Sequence, residues 1–400
     1  MLKTAEALAS SEAERLHARL TPFDPTLLSL DHRTEALERF YSTRSGRERA
    51  GRYWRIDIES IAPDAETIAP SNGTVRIENS ASRIIACSLS DAVAMHSQLL
   101  ARCFGGTDAG KTKFGALARA FVQVGAFVYV PADATSAEPV EITYDVPNGA
   151  SVFPYTVVLA ERGARATIVE RCEGGADAFV CGIAEIVTEE SAEVTYASCQ
   201  QLGPRARAVF TRRAAPGRDS RVNWACAELG GALDLSDVAT AILQPGTQAG
   251  VTALFFPNQT QHVDVVSTID HAIGDSTSET IVKTAAVDAG QARYLGNIRI
   301  APHAQGSDAS LRDDALLLSE KAHVDSVPAL EIGANDVKAF HGATVGALDG
   351  EQVFYMQTRG IERNAAERMI ALGFFEPAIA RFPTDALRER IRIALAEKLS

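Results

Sequence analysis

Residues 155–210 read YTVVLAERGARATIVERCEGGADAFVCGIAEIVTEESAEVTYASCQQLGPRARAVF, and the runs YTVVLA (155–160), ATIVE (166–170), AEVTYA (192–197) and ARAVF (206–210) decide the fold class. Each is short, rich in β-branched residues and bounded by polar or glycine residues, which is the signature of a strand between tight turns. Upstream, AFVYV (126–130) and VEITY (140–144) have the same character, and no helix-length segment interrupts the series from about Gly125 onward. A small residue, followed two places later by an apolar one at Ala164, Ala192, Ser220 and Ala249, recurs at those positions and at Thr277, in steps of 28, 28, 29 and 28, with a further pair at Ala292 and Ala322, 30 apart. A period in the high twenties built only from strands and turns is what a solenoid produces, because each coil buries its apolar side only by stacking on its neighbours. The spacing predicts a mainly β chain in which residues 125–342 form a right-handed parallel β-helix core. A two-sheet sandwich is the competing arrangement, but it has no reason to keep so regular a step.

The β core is expected between helical ends. Residues 1–124 read as mostly helical: Ser10 and Ser11 can cap a helix carrying Leu16 and Leu20, Arg33–Tyr41 places Leu37 and Phe40 at helical spacing, and Ser90-Asp91 opens a third helix with Val93, Leu99 and Leu100. Thr74–Leu89 alternates like strands. Residues 343–400 form a C-terminal helical region: Asp349 and Gln352 make a capping pair, Val353, Phe354 and Met356 form an apolar stripe, and Gly360 stops the helix. Ala365–Phe375 forms a second helix ended by Pro377, and Thr384 caps a third with Leu387, Ile391 and Leu395 on one face. Three such helices after a solenoid are expected to cap its last coil.

Composition excludes several functions. The chain has 400 residues, 46% hydrophobic and 22% charged, and a formal net charge of −12, which repels a phosphate backbone, so no nucleic-acid partner is expected. The N-terminal residues MLKTAEALASSEAERL lack an apolar core of secretory length and nowhere do 18 apolar residues run together, so the expectation is a cytoplasmic protein with no membrane association. Cys87, Cys103, Cys172, Cys181, Cys199 and Cys226 include no Cys-x-x-Cys pair, so they read as reduced, buried thiols.

Two motifs carry candidate chemistry. Gly105–Thr112, GGTDAGKT, matches the phosphate-loop pattern completely. Its mechanism needs a buried strand entering the loop inside a βαβ unit, whereas HSQLLARCF before it has helical spacing. The segment therefore reads as a glycine-rich connection, with a P-loop nucleotide hydrolase using Lys111, and Asp270 or Asp133 as a Walker B aspartate, kept as an alternative. A β-helix enzyme acting on polysaccharide is a second alternative, with Asp313-Asp314 as its nearest candidate pair. The other motif is Asn335–Gly360, NDVKAFHGATVGALDGEQVFYMQTRG, where His341 stands at the end of a strand-like run before helical periodicity takes over. Glu331 and Asp336 flank His341. His262, His271 and His303 read as surface or turn residues.

This last stretch resembles the C-terminal signature of the SufD family, DVKCSHGATVG followed by an acidic helix, FYL and SRG, and more loosely that of its paralogue SufB. The resemblance extends from about Phe114: KFGALARAF, GAFVYVPAD, Gln261–Asp264 (QHVD), HAQGSDA around Asp308, Leu316–Ser319 (LLLS), Pro328–Ile332 (PALEI) and Asp336–Lys338 (DVK) all have counterparts in order. It implies a non-catalytic scaffold subunit of the SUF iron-sulfur cluster assembly machinery. Such a subunit pairs with a SufB-like paralogue through β-helix edges and binds a SufC-like ABC ATPase through its C-terminal helices. A nascent iron-sulfur cluster then forms at or near the contact, and ATP enters only through the SufC partner. A homodimer is expected when the natural partner is missing. On this resemblance His341 is a metal ligand shared with the partner, and Lys338, His341, Phe354, Tyr355, Arg359 and Gly360 are partner-binding residues. The chain departs from the family at Ala339, where the family has cysteine, and at Phe340, where it has serine, so any thiolate at such a site comes from elsewhere.

Overall fold

The computed structural model describes residues 12–43, 56–58 and 61–399, and its core is a parallel β-helix of two facing sheets. One sheet orders nine strands, from Thr74–Glu78 and Val140–Val146 through to Lys338–Ala347; the other ends at His323–Ile332. Thr74–Glu78 and Ile85–Ser88 join antiparallel at the first coil, and every later pairing is parallel. The β-helix begins with the strand Val124–Val130, and the last strand continues to Ala347.

Corners explain the repeat. Asp133, Gly163, Ser191, Asp219, Gly246, Asp275 and Gly306 all adopt positive φ, between 53° and 73°. Each is followed by a buried small residue: Ala134, Ala164, Ala192, Ser220, Thr247, Ser276 and Ser307. A left-handed residue turns the chain, which favours glycine or a short polar side chain, and a small side chain then fits inside the corner. The predicted repeat follows this column through Ser220 and then departs from it, since Thr247 and Ser276 occupy the corners instead of Ala249 and Thr277. Coil length also drifts: Arg221 pairs with Gln248, 27 residues on, Thr277 with Asp308, 31 on, and Gln291 with His323, 32 on. Ala292 accordingly stacks on Val324 and not on Ala322.

Inward-facing residues stack in columns. One runs Ile168, Tyr196, Trp224, Val251, Thr280 and Leu311, all at most 2% exposed. Midway the interior turns polar. Arg212 Nη1 donates to Glu228 Oε1 at 2.7 Å and to Ser236 Oγ at 2.6 Å, while Thr156 and Tyr196 hydroxyls donate to Glu170. Burial raises the carboxyls of Glu170 and Asp234 above their usual range.

Helices lie on the outer faces. Lys113–Phe121, capped by Thr112, packs on the sheet that contains Tyr155 and Cys181, and Leu30–Ser42, capped by Ser29, packs on that helix in turn. Residues 12–18 are helical and bury Leu16; the Ser10 and Ser11 capping positions lie outside the described residues. The third expected helix starts one turn-residue earlier, at Leu89 with Ser88 as its cap, and breaks at His96 before Ser97–Leu100. At the other end Arg363–Ile379 and Asp385–Lys398 do not cap the last coil. They fold back along the flank of the nine-stranded sheet, where Phe375, Ile379, Leu387, Ile391 and Leu395 pack on Ala197, Ala225, Leu254 and Phe256. Arg381 ties them to Glu279 at 2.7 Å, and Lys398 to Asn258 at 3.0 Å. Pro377 sits inside the second helix and not at its end.

His271 is fully buried, contrary to its reading as a surface residue. Its ring nitrogens bond Ser276 Oγ and Ser278 Oγ, each at 2.8 Å, and burial lowers its pKa to about 4. A buried neutral base stabilises the fold fully above its unfolded pKa of about 6.5 and loses that contribution as pH falls toward the folded value. Stability is expected to drop by about 2 kcal/mol between pH 6.5 and pH 5 from this group. Urea midpoints across that range should show the slope in wild type and lack it in His271→Gln.

Candidate functional site at the open rim

The strands Lys338–Ala347 and His323–Ile332 each pair on one side only, so the β-helix ends in two ten-residue edges. Unpaired strand edges are templates for another chain. Apolar side chains crowd this rim: Ile332 is 43%, Phe340 54% and Val345 48% exposed. Pro328 lies in one of the two edge strands, a position where its missing N–H is tolerated.

His341 is the fourth residue of the terminal strand and not its last. It stacks on Leu311, and Ala339 stacks on Ala309, both buried inward-facing residues, so strand alternation puts Ala339, His341 and Ala343 over the mouth of the solenoid. The position of the family cysteine and the histidine therefore share one face. Lys338 precedes them, level with Asp308. Glu331 is engaged by Arg299 at 3.3 Å, and the backbone of Asp336 bonds Gln305 and Gly306. Among the described residues no three His, Cys, Asp or Glu side chains converge as a metal site.

The adjacent pair Asp313-Asp314 does not form one exposed acidic face. Asp314 points outward, where Lys283 Nζ and Thr344 Oγ1 each donate to it at 2.8 Å. Asp313 points inward and is fully buried; Ser326 Oγ donates to its Oδ2, Oδ1 has no partner, and burial pushes its pKa up to about 7. Sequence reading gave no sign of this division, because only the register tells which of two neighbours faces in.

Beyond the rim, Asp349 caps the helix Gly350–Thr358 by accepting from Glu351 N–H. Of the apolar stripe, Val353 is buried and Met356 half-buried, while Phe354 at 67% is exposed beside Tyr355 at 58%. Arg359 bonds the Tyr355 hydroxyl at 3.2 Å and lies over its ring, and Gly360 has φ of 84°.

The GGTDAGKT loop uses its amides internally. Gly105 N–H and Thr107 N–H donate to the Glu185 carboxylate at 2.8 and 3.2 Å, and Tyr155 and Thr107 hydroxyls donate to it as well. The helix Ser97–Leu100 precedes the loop in place of a strand, and Asp108 pairs with Arg213 at 3.1 Å. Two of the motif's glycines have a backbone reason: Gly105 has φ of 71°, and a Cβ on Gly106 would lie 2.9 Å from the Cys103 carbonyl oxygen. Asp133 is a left-handed corner residue, and Asp270 lies within a solenoid strand. The six cysteines are free, five of them buried; burial raises Cys103 and Cys199 to about 12 and Cys87 to about 11, which keeps these thiols protonated at neutral pH.

Comparison with known proteins meets this geometry. The family model described as SUF system FeS cluster assembly, SufBD core domain, matches residues 143–374, more than half of the chain. The iron-sulfur cluster assembly protein SufD of Bacillus subtilis is 29% identical over 79% of this chain and 74% of its own length. SufBD family proteins of Staphylococcus saprophyticus and Staphylococcus epidermidis are 25% identical over 71% of this chain and 62% of theirs, so the chain spans less than two thirds of those relatives. A parallel β-helix with helices on its flanks, matched across its coils by that family, places the chain among the SufBD proteins of the SUF iron-sulfur cluster assembly system, as a homologue of SufD.

Proposed function

We propose that this chain is a scaffold subunit of the SUF machinery without turnover of its own, acting in the cytoplasm, whose open rim docks a SufB-like paralogue. The carrying observation is that the fold leaves the outer edge of both terminal strands unpaired while sending its last two helices down the flank. Natural solenoids cap or blunt such an edge, so a long apolar one is an interface awaiting its partner. His341 at the mouth is one ligand of a metal site completed across that contact, where iron and sulfide are cargo. Neither Ala339 nor Phe340 can bind metal, so a thiolate must come from the partner. When the paralogue is absent, two copies of the chain pair through the same edges.

Phe354, Tyr355 and Arg359 form a second surface, suited to the SufC-like ATPase through which ATP acts. Exposed aromatics with a neighbouring arginine are the residue types that anchor interfaces. Co-expression with tagged SufB-like and SufC-like subunits tests both surfaces, and a chain recovered alone would end the reading. Phe354→Ala/Tyr355→Ala is expected to release the ATPase, a loss of about 2 kcal/mol or more, while leaving the SufB-like subunit bound. Surface plasmon resonance of the two pairs separately distinguishes those outcomes.

A further inference from the structure

Glu228, Asp234 and Asp313 each leave one buried carboxylate oxygen without a hydrogen-bond partner, and only Asp313 lies at the rim, one coil beneath the strand of His341. Asp313 stacks under Ala343, and His341 stands two residues before Ala343 on the same inward face of the terminal strand. Strand spacing and rise put the Cα atoms of His341 and Asp313 about 8 Å apart, a span that an imidazole and a carboxylate close through a single ion. Nothing larger than the Ala343 methyl covers Asp313 in its own column.

We propose that Asp313 supplies an oxygen ligand beside His341, so that the mouth of the solenoid presents a nitrogen–oxygen pair from adjacent coils to divalent iron. The inference rests on the rim reading above and names a residue that reading does not contain. Three observations carry it. Ser326 Oγ holds Asp313 Oδ2, while Oδ1 is buried with no hydrogen-bond partner. A buried polar atom left unpaired is destabilising and calls for a water or an ion. Its neighbour Asp314 is fully engaged by Lys283 and Thr344 on the outer face, so the two aspartates are not interchangeable. Mixed imidazole and carboxylate donors with open positions suit ferrous iron, and a serine fixing the second carboxylate oxygen is the usual support for such a ligand.

Cobalt(II) serves as the probe, because its visible absorption reports ligand number and type. Titration is made anaerobically into the complex of this chain with its SufB-like and SufC-like partners, comparing wild type, Asp313→Asn, His341→Ala and the double variant. Asparagine keeps the size and the bond from Ser326. Asp313→Asn is expected to weaken cobalt binding by roughly tenfold or more and to change the spectrum, with the melting temperature not lowered. His341→Ala should weaken it as well, and the double variant should lose the signal. Wild-type affinity and spectrum in Asp313→Asn, with a loss in His341→Ala, would overturn the inference and leave the rim site standing. No change in either variant would remove both residues and the rim site with them. Should Asp313→Asn fail to assemble, Ser326→Ala reads the same carboxylate with its charge retained: an altered spectrum supports ligation, and an unaltered one overturns it.

Discussion

Arg212→Ala is expected to lower the unfolding free energy by about 3–5 kcal/mol. Arg212 and Glu228 are 2% and 0% exposed and 2.7 Å apart, with Glu170 and Asp234 buried in the same interior. Removing the guanidinium leaves carboxylates in a low-dielectric interior with nothing to compensate them, and Glu228 Oε2, Asp234 Oδ1 and Ser198 Oγ already lack partners. The cost shrinks when both charges go. Arg212→Met/Glu228→Leu removes the pair together and should be far less destabilising than the single change, because no lone charge remains. Urea unfolding of the two variants makes the comparison. A single variant within about 1 kcal/mol of wild type would mean that the interior is hydrated or the pair is already neutral.

Val345→Lys should break the proposed pairing with a SufB-like subunit while leaving this chain folded. Val345 is inward-facing by register, stacked on the buried Ala315, yet 48% exposed because no further coil covers it. An inward-pointing lysine is the device by which natural proteins blunt a sheet edge. In the free chain the ammonium reaches water and stability should change by no more than about 0.5 kcal/mol. In the complex the charge is trapped under the partner's edge strand, and the expected loss is about 3 kcal/mol, roughly 100-fold in Kd. Phe340→Ser, on the outer side of the same edge, should have a smaller effect of the same sign. Analytical ultracentrifugation with the paralogue reads both.

The β-helix was legible because strand runs and left-handed corners are local signals: a positive φ needs glycine or a short polar residue, and Gly163, Asp219 and Gly246 supply it. Register past Ser220 was not legible, since coil length changes by several residues and small residues also occur beside the corners. Amphipathic stripes foretold that the C-terminal helices bury Leu387, Ile391 and Leu395, but a stripe does not say against what. Those helices lie on the flank because Ala225, Leu254 and Phe256 form an apolar outer face there. GGTDAGKT shows the reverse case, a complete motif whose amides serve Glu185, 80 residues away from Gly105, which no local pattern could reveal. At the rim, His341 stood out through the resemblance alone. Asp313 stayed hidden beside Asp314 because alternation separates the two only once the strand's facing is known.

Hydrogen–deuterium exchange on the chain, free and bound to its SufB-like partner, tests the docking rim most directly. The account predicts that amides of His323–Ile332 and Lys338–Ala347 become protected on binding, while Asp385–Lys398 on the flank exchanges as before. Unchanged exchange along both terminal strands, with protection elsewhere, would contradict it.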